Sequence, residues 1–386
     1  MKHSILIFTL FFTFQTFAQM LERVSPETLG VDARRLQLAD EIINQSIADE
    51  EIPGAVLAVV YRNKMVYLKA FGNKQIYPSA VPMNESTIFD LASVTKPIVG
   101  GISAMILVEQ GKLRLTDRVS AYIPEFQDNI RILDLLTHTS GLPSYAPVAY
   151  LREKYGAPAP DSLIRYIANV ERRFEPRTNS QYSCLNLIVL QRIIETVSGR
   201  NLCDFTKEHI FDVLGMKNTD FAPTGEMLKR VAPTEKLAEG EVLRGIVHDP
   251  LAQVLLGGIS GNAGLFSNAD DLAILAVALL NNGAYNGKRI LSPQGVKTMI
   301  SVPQNAAQFG RALGWDVSSS FASNQGDLLS ASAFGHTGYT GTSFVIDPEL
   351  DLAIILLTNR VHPNDTGNIA ALRARVANVV ASAILE

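Results

Sequence analysis

The chain has 386 residues, of which 47% are hydrophobic and 19% are charged. This composition is typical of a globular protein with a large core, and it excludes a disordered or low-complexity chain. The formal net charge is −4, from 34 basic and 38 acidic residues, and no basic run appears, so we expect no nucleic-acid partner.

The first residues have the pattern of a secretory signal peptide. Lys2 supplies a positive charge, residues 5–14 form a short apolar run, and residues 16–18 place small side chains two apart. We therefore predict a cleaved signal over residues 1–18 and an exported protein, periplasmic or extracellular. A buried N-terminal strand is the alternative. No cysteine lies near the cleavage point, and the longest later apolar run, residues 272–280, is too short to span a bilayer, so we expect no stable membrane anchor.

The first predicted elements are a helix and a hairpin. Residues 33–49 carry apolar side chains at helical spacing and predict an amphipathic helix. Residues 55–61 and 65–71 are strand-like, and the polar residues 62–64 between them indicate a hairpin. From residue 93 to about residue 283 the pattern is mostly helical.

Strand patterns return towards the C-terminus, at residues 328–336, 343–346 and 352–357, with a turn at residues 347–350. Residues 368–385 predict a closing helix. Strands at both ends of the chain, with helices between them, predict one sheet that is assembled from the two ends. Strands joined by tight turns must be antiparallel.

The predicted fold class is therefore α/β, with an antiparallel five-stranded sheet flanked by helices and an inserted, mostly helical subdomain. We assign residues 19–386 to one domain. Its sheet lobe covers about residues 25–90 and 240–386, and its helical lobe covers about residues 91–239.

Cysteine and histidine usage indicates no metal site. Cys184 and Cys203 are too few for a disulfide scaffold or a thiolate zinc site, although in an exported protein they could pair. The six histidines are scattered and lack HExxH spacing. The glycine-rich residues 257–264 lack the spacing and the lysine of a phosphate loop. We expect no cofactor.

The first candidate catalytic motif is Ser93-Val94-Thr95-Lys96. At the start of a helix Ser93 and Lys96 share a face, so that the hydroxyl and the amine can touch. A lysine whose pKa is lowered by burial and nearby cations can activate the serine as a nucleophile. The helix N-terminus also exposes backbone N–H groups beside the serine. Taken alone, the pattern also fits a capping serine and a solvated lysine.

Two further motifs contain polar groups of catalytic type. Tyr182 precedes an apolar helical pattern, and a tyrosine near a cation can shuttle a proton; a half-buried core tyrosine is the alternative. Residues 336–341, His-Thr-Gly-Tyr-Thr-Gly, lie between two strand-like runs. Glycines there let the backbone approach a ligand, and an exposed N–H could stabilise an oxyanion. A plain turn is the alternative.

The order of the three motifs resembles that of the serine β-lactamase and penicillin-binding-protein superfamily. The resemblance extends from about residue 50 to the C-terminus, and residues 135–142 are typical of the class C-like branch. Residues 248–250, 261–267 and 336–341 resemble a sub-branch of exported serine hydrolases linked to cell-wall breakdown, which includes exo-muramyl-alanine amidases and a small penicillin-binding protein. The resemblance implies a β-lactamase/transpeptidase-like fold.

The resemblance also implies a role for each matching residue. Ser93 would be the acylated nucleophile, Lys96 its base, and Tyr182 the residue that passes the proton to the leaving group. The backbone N–H groups of Ser93 and Tyr339 would form the oxyanion hole. The implied substrate-binding residues are Cys184, His248, Asn262, His336, Thr337 and Gly338.

Two of these positions depart from the family pattern. Cys184 stands where relatives often have an asparagine that binds the acyl side chain, and a thiol is a poor hydrogen-bond donor. His336 stands where many relatives have a lysine, and a histidine is only partly charged near neutrality. Both changes argue against an efficient, dedicated β-lactamase.

Other residues have two interpretations each. We expect His138 to be a hydrogen-bonded structural residue. His248 and Asp249 either face the cleft or form a surface turn, and Trp315 either lines the pocket or packs in the core. Asn262 either touches substrate or stabilises a turn.

The favoured function is acyl transfer to water by an exported serine hydrolase, through an acyl-enzyme. The substrate would be a small molecule or peptide derived from the cell wall, cleaved at the muramyl-to-L-alanine amide or at a D-alanyl peptide bond. The alternatives are an esterase that acts on small acyl esters and a non-catalytic protein that binds cell-wall peptide. Ser93, Lys96 and Tyr182 together weigh against the binder, which has no need of them.

Overall fold

The computed structural model describes residues 21–385. The predicted signal peptide therefore lies outside the described residues. The strands are β1 (Gly54–Tyr61), β2 (Lys64–Gln75), β3 (Val81–Pro82), β4 (Phe89–Asp90), β5 (Phe266–Ser267), β6 (Ala284–Tyr285), β7 (Lys288–Arg289), β8 (Phe334–Thr337), β9 (Ser343–Asp347) and β10 (Leu352–Thr358).

Most of the α-helices lie in the middle of the chain, between the strands that its two ends contribute to the sheet. They are α1 (Ala33–Ala48), α2 (Ile102–Glu109), α3 (Ile132–Leu136), α4 (Val148–Tyr155), α5 (Pro160–Asn169), α6 (Cys184–Ser198), α7 (Leu202–Thr206), α8 (Asp212–Leu214), α9 (Gly225–Arg230), α10 (Ala269–Leu280), α11 (Pro293–Ile300) and α12 (Ala370–Ser382). Short 3₁₀ segments lie at Pro26–Leu29, Ala92–Val94, Val119–Ala121 and Gln304–Phe309, and π-helical segments lie at Lys96–Gly101, Lys207–Phe211 and Leu251–Leu255.

The main sheet joins the two ends of the chain, as predicted. Its strand order is β3-β2-β1-β10-β9-β8, with every neighbouring pair antiparallel. The five expected strands are present, and the two-residue β3 extends one edge to make a sixth. The central pair is β1 with β10, in register from Ala55 opposite Thr358 to Tyr61 opposite Leu352. In the predicted hairpin between β1 and β2, Arg62 and Asn63 both have positive φ, the conformation that tight hairpin turns require.

Helices cover both faces of this sheet. Alternate residues of β1 point to opposite faces, and all of them are buried. Leu57 and Val59 pack with α1 and α12 on one face, while Val56 and Ala58 join the large core that contains α2, α6 and α10 on the other. A strand buried on both faces needs apolar residues throughout, which explains the unbroken run in β1.

One stretch of the described chain, Ala92–Glu109, has the length and hydropathy of a membrane span, but 83% of it is buried inside the protein. A buried helix of this kind is a core element, because its apolar surface is packed against the rest of the protein. The expectation of no membrane anchor stays a prediction.

The strand predicted at residues 328–336 is shorter in the structure, where β8 begins at Phe334. The preceding residues are held by side chains instead. The Ser330 N–H donates to Asp347 Oδ2 at 2.6 Å, and the Ser330 hydroxyl donates to Asp347 Oδ1 at 2.7 Å. Such side-chain bonds compete with a strand ladder and end it. The closing helix is likewise shorter than predicted, at Ala370–Ser382.

Candidate active site

The candidate nucleophile lies at the turn between β4 and the helical lobe. Ser93 is in the 3₁₀ turn Ala92–Val94, and Lys96 begins the π-helical segment that continues into α2. The helix predicted to begin here is thus not a regular α-helix in its first turns. Ala92 has a φ of +46°, and its N–H donates to Asp90 Oδ1 at 2.8 Å. Asp90 therefore stabilises a backbone conformation at Ala92 that residues other than glycine rarely adopt.

Ser93 and Lys96 touch, as their spacing predicts. The Lys96 ammonium donates to Ser93 Oγ at 2.7 Å and to the Asn262 backbone carbonyl at 2.8 Å. Lys96 is completely buried, so that these bonds replace the water it has lost. The second bond fixes the amine from the side opposite the serine. The alternative of a solvated lysine is wrong.

Tyr182 completes a cluster with these two residues. The Lys96 amine lies 5.0 Å from the centre of the tyrosine ring, and the Tyr182 hydroxyl is close enough to both Lys96 and Ser93 to interact with them. The ring is held by stacking between His138, at 4.7 Å, and Phe321, at 4.9 Å between ring centroids. The predicted juxtaposition of Ser93, Lys96 and Tyr182 is present, and their catalytic roles stay predictions.

His138 supports the tyrosine segment, in agreement with the structural role expected of it. Its Nδ1 accepts from the Ser183 N–H at 3.0 Å and lies 2.9 Å from the Asn186 side-chain amide. Burial holds the pKa of His138 well below its ordinary value, so the ring is neutral and can accept at Nδ1. The loop that contains His138 thereby fixes the backbone on either side of Tyr182.

The proton balance of the cluster differs from expectation. Burial lowers the pKa of Lys96, but the neighbouring Cys184 and Tyr182 raise it, and the resulting pKa lies above the ordinary value. The pKa of Lys96 is therefore shifted in the direction opposite to the one that would favour a neutral, basic amine. Burial also raises the pKa of Tyr182, although Lys96 opposes this. Groups coupled this closely share protons and do not titrate one at a time.

The β8–β9 turn is bonded to the serine turn. The Thr340 hydroxyl donates to the Asp90 carbonyl at 2.7 Å, and the Thr342 hydroxyl donates to the Leu91 carbonyl at 2.9 Å. A Cβ on Gly338 would lie 2.1 Å from Thr342 Oγ1 and 2.4 Å from the Leu91 oxygen, so only glycine fits this approach. These bonds connect the turn that contains Tyr339 to the two residues before the serine turn, and the oxyanion hole stays a prediction.

A pocket of about 340 Å³ opens beside Ser93. Its lining includes five residues that the sequence assigned to catalysis or binding: Tyr182, His336, Thr337, Gly338 and Tyr339. Cys184, His248 and Asn262 are not among the described residues that line it. The sequence therefore identified much of the pocket, and the substrate-binding roles of the three residues that do not line it stay predictions.

The three supporting residues have other surroundings. Asn262 is fully buried, and its carbonyl holds Lys96 while its Oδ1 accepts from the Ser260 hydroxyl at 2.5 Å. Cys184 lies beside Lys96, and burial raises the pKa of its thiol. The His248 ring stacks on the Tyr339 ring, with centroids 5.8 Å apart. These positions make direct substrate contact by Asn262 a poor interpretation.

Other expectations are resolved in the same region. In the described part of the chain Cys184 and Cys203 are both free. Asp249 accepts from the Tyr145 hydroxyl at 3.0 Å and caps the backbone at Ala252, so it stabilises its loop. Trp315 is fully buried and packs edge-on against Phe334, which favours the core interpretation. Among residues 21–385, no group of three metal-binding side chains is assembled.

Sequence reasoning missed a buried ion pair at the pocket. Arg311 Nη2 lies 2.7 Å from Asp316 Oδ1, and both side chains are at most 2% exposed. The guanidinium also lies 5.0 Å from the centre of the Tyr182 ring. Asp316 lines the pocket, next in sequence to Trp315. The one signal in the sequence was that Asp316, a charged residue, directly follows Trp315, which packs in the core.

Residues 39–378 match the family described as Beta-lactamase. The chain belongs to this family. It is 34% identical to the N-acetylmuramyl-L-alanine amidase of Bacillus subtilis (strain 168), with 93% of this chain and 90% of the relative covered. It is 33% identical to a protein of Escherichia coli (strain K12) named "Putative D-alanyl-D-alanine carboxypeptidase", with 89% and 86% covered.

Solved structures agree on the fold. EstCE1, described as a hydrolase with promiscuous acyltransferase activity, superposes with a TM-score of 0.71 at 23% identity, covering 93% of this chain and 99% of its own. A penicillin-binding-protein homologue from Caulobacter crescentus has a TM-score of 0.70 at 20% identity, with 92% and 99% covered. The expected fold and superfamily are confirmed, and the names of the relatives identify this β-lactamase-family chain as a hydrolase.

Proposed function

We propose that this protein is an exported serine hydrolase that cleaves an amide bond in peptidoglycan fragments through an acyl-enzyme on Ser93. The contact that carries the proposal is the 2.7 Å hydrogen bond between Lys96 Nζ and Ser93 Oγ, made by a fully buried lysine. A buried amine has no reason to contact a serine hydroxyl at the mouth of a pocket unless the pair serves chemistry or local structure. The further contact of both residues with Tyr182 favours chemistry.

In the proposed reaction, Ser93 Oγ attacks the amide carbonyl carbon and gives its proton to the Lys96–Tyr182 pair. The carbonyl oxygen becomes an oxyanion, which the N–H groups of Ser93 and Tyr339 stabilise. When the C–N bond breaks, the proton passes through Tyr182 to the leaving amine. Water then attacks the ester on Ser93, releases the acid and returns the proton to the hydroxyl.

The substrate class follows from the relatives. Two proteins that are about one-third identical over most of the chain are named for the muramyl-to-L-alanine amide and for the D-alanyl-D-alanine bond. Both bonds are amides of alanine in cell-wall peptide. We propose that the present protein acts on one of these two bonds, outside the cytoplasm, after removal of residues 1–18.

Hydrolysis of small acyl esters is the second candidate. It is favoured by Cys184, which lies beside Lys96 where an amide side chain would bind the acyl group of a peptide. A thiol provides weaker hydrogen bonds and suits a simpler acyl chain. An ester also needs less help for its leaving group than an amide does.

The test is covalent labelling followed by product analysis. A fluorophosphonate probe should label the purified protein and should not label Ser93→Ala, while Ser103→Ala, a buried serine on α2, keeps the label. Incubation with muramyl-L-alanyl peptides should release the free peptide, or incubation with D-alanyl-D-alanine peptides should release D-alanine. Turnover of p-nitrophenyl acetate alone would establish the esterase instead. An absence of labelling would leave only a binding protein.

A further inference from the structure

The Asp316–His336 pair in the pocket consists of two buried acceptors that face each other. His336 Nε2 lies 4.0 Å from Asp316 Oδ2. Both residues line the pocket that contains Ser93, and both are at most 2% exposed. Neither of the two atoms has a hydrogen-bond partner within residues 21–385.

The hydrogen bonds of His336 show which of its nitrogens carries a proton. Nδ1 lies 2.8 Å from the Thr337 carbonyl oxygen, which can only accept, so Nδ1 carries the hydrogen. Burial, assisted by the charges of Arg311 and Lys96 and opposed by Asp316, lowers the pKa of His336 to about 4. The ring is therefore neutral near pH 7, and Nε2 presents a lone pair to the pocket.

Asp316 presents lone pairs from the other side. Its Oδ1 forms an ion pair with Arg311 Nη2 at 2.7 Å and accepts from the Ser319 hydroxyl at 2.6 Å, and these two contacts fix the carboxylate plane. Oδ2 is thereby aimed at His336. Two acceptors cannot bond to each other, and a buried polar group without a partner costs free energy.

We infer that Asp316 and His336 are specificity-determining residues, which select substrates that place a neutral hydrogen-bond donor between them and reject substrates with a free carboxylate there. A donor such as an amide N–H satisfies both acceptors, whereas a carboxylate brings further lone pairs against them. An ammonium would add charge beside Lys96 and Arg311. Asp316 and His336 both line the pocket that contains Ser93, so a substrate bound there lies next to the pair.

This inference rests on the proposed function for the identity of the substrate. In a cell-wall peptide the donor is the N–H of the residue that follows the alanine, or a terminal carboxamide. A fragment that ends at the alanine carboxylate has no such donor. The pocket would therefore favour peptides that continue beyond the alanine or end in a carboxamide.

The experiment compares two ligands that differ only in the terminal group. Calorimetry measures the Kd of N-acetylmuramyl-L-alaninamide and of N-acetylmuramyl-L-alanine on the Ser93→Ala protein, which cannot turn them over. The carboxamide should bind about tenfold tighter or better, as expected for a hydrogen bond to a charged group. In Asp316→Asn the new amide can itself donate to His336 Nε2, so the preference should fall to about twofold or less.

Asp212→Asn, the same substitution at an exposed carboxylate that does not line the pocket, is the matched control and should keep the preference. Where Asp316→Asn fails to fold, His336→Gln provides a donor to Asp316 Oδ2 and should abolish the preference equally. Equal binding of the two ligands, or tighter binding of the carboxylate, would overturn the inference. Tight binding of the carboxamide by a protein that hydrolyses neither these compounds nor D-alanyl-D-alanine peptides would defeat the proposed function only. If neither compound binds, both fail.

Discussion

The two sides of the pocket differ in how their buried polar groups are bonded. On the nucleophile side, formed by Asp90, Ser93 and Lys96, each buried charge is bonded to its neighbours, with Asp90 accepting two backbone N–H bonds and Lys96 donating two bonds. On the strand side, formed by Asp316 and His336, two buried acceptors face each other without a bond.

This difference in bonding suits the two sides of the pocket to different tasks. Bonded polar groups fix geometry, which is what a nucleophile and its base require. Unbonded buried groups gain free energy only when a ligand supplies the missing partner, and that makes them selective. The nucleophile side is thus suited to the common chemistry of the family, and the strand side to the choice of substrate.

The largest effect should come from breaking the nucleophile side. Lys96→Ala removes the base and the amine that orients Ser93, so kcat/KM for amide cleavage should fall about a hundred- to ten-thousand-fold. The measurement is initial rates at saturating and limiting substrate. Lys288→Ala, an exposed lysine on β7, is the control and should be unchanged. A loss below about tenfold would remove Lys96 from the chemistry.

On the strand side the largest effect should be on stability. Arg311→Met leaves the carboxylate of Asp316 buried without its cation, so the free energy of unfolding should fall by about 3–5 kcal/mol. Chemical denaturation measures it. The exposed pair of Lys207 with Asp212 is the control, because breaking it with Lys207→Met should cost about 1 kcal/mol or less. Equal losses of unfolding free energy in the two variants would show that the buried pair contributes no more to stability than the exposed pair.

Acid should also destabilise the strand side. The pKa of His336 is about 4 in the folded protein, against 6.5 ordinarily, so the unfolded chain binds a proton first. The part of the free energy of unfolding that depends on neutral His336 is fully present above pH 6.5. It is lost as the pH falls towards 4, and the total loss is about 3 kcal/mol. Urea unfolding at pH 7 and pH 4.5 measures this loss. His336→Gln should lose less stability over that range than the parent protein, and an unchanged slope would contradict the prediction.

Near neutrality, the smallest change should be the gradual rise of activity with each small step in pH. The raised pKa values of Lys96 and Tyr182 mean that the deprotonated, active form of the cluster is scarce near neutrality. Because activity requires loss of a proton, kcat/KM should rise towards alkaline pH, by up to about tenfold per unit. Rates between pH 5 and pH 9 test this. A flat profile would contradict a role for Lys96 as base.

Periodic patterns predicted the fold well. The unbroken apolar runs of β1 and β10 defined the middle of the sheet, since strands buried on both faces need those residues. The start of α11 was also predictable, because Ser292 caps the helix and Pro293 follows it. Motif spacing gave the Ser93–Lys96 contact, because neighbouring turns of a helix bring such residues together.

The remaining parts of the site depend on contacts between distant segments. Arg311 and Asp316 lie outside any periodic pattern, and only the folded chain shows that they pair beneath Tyr182. Asn262 acts through its backbone carbonyl, which any residue has, so its side chain gave no signal. The pKa of Lys96 was likewise unpredictable, because it depends on Cys184 and Tyr182 together.

The pairing of β1 with β10 sets a limit on how the molecule can be made. These two strands form the middle of the sheet, yet about three quarters of the chain, residues 62–351, is synthesised between them. A nascent polypeptide can collapse its helical segments early, but its central ladder must wait until the last strand has left the ribosome. The loop-closure entropy of that late encounter makes slow completion of the sheet an intrinsic property of this topology.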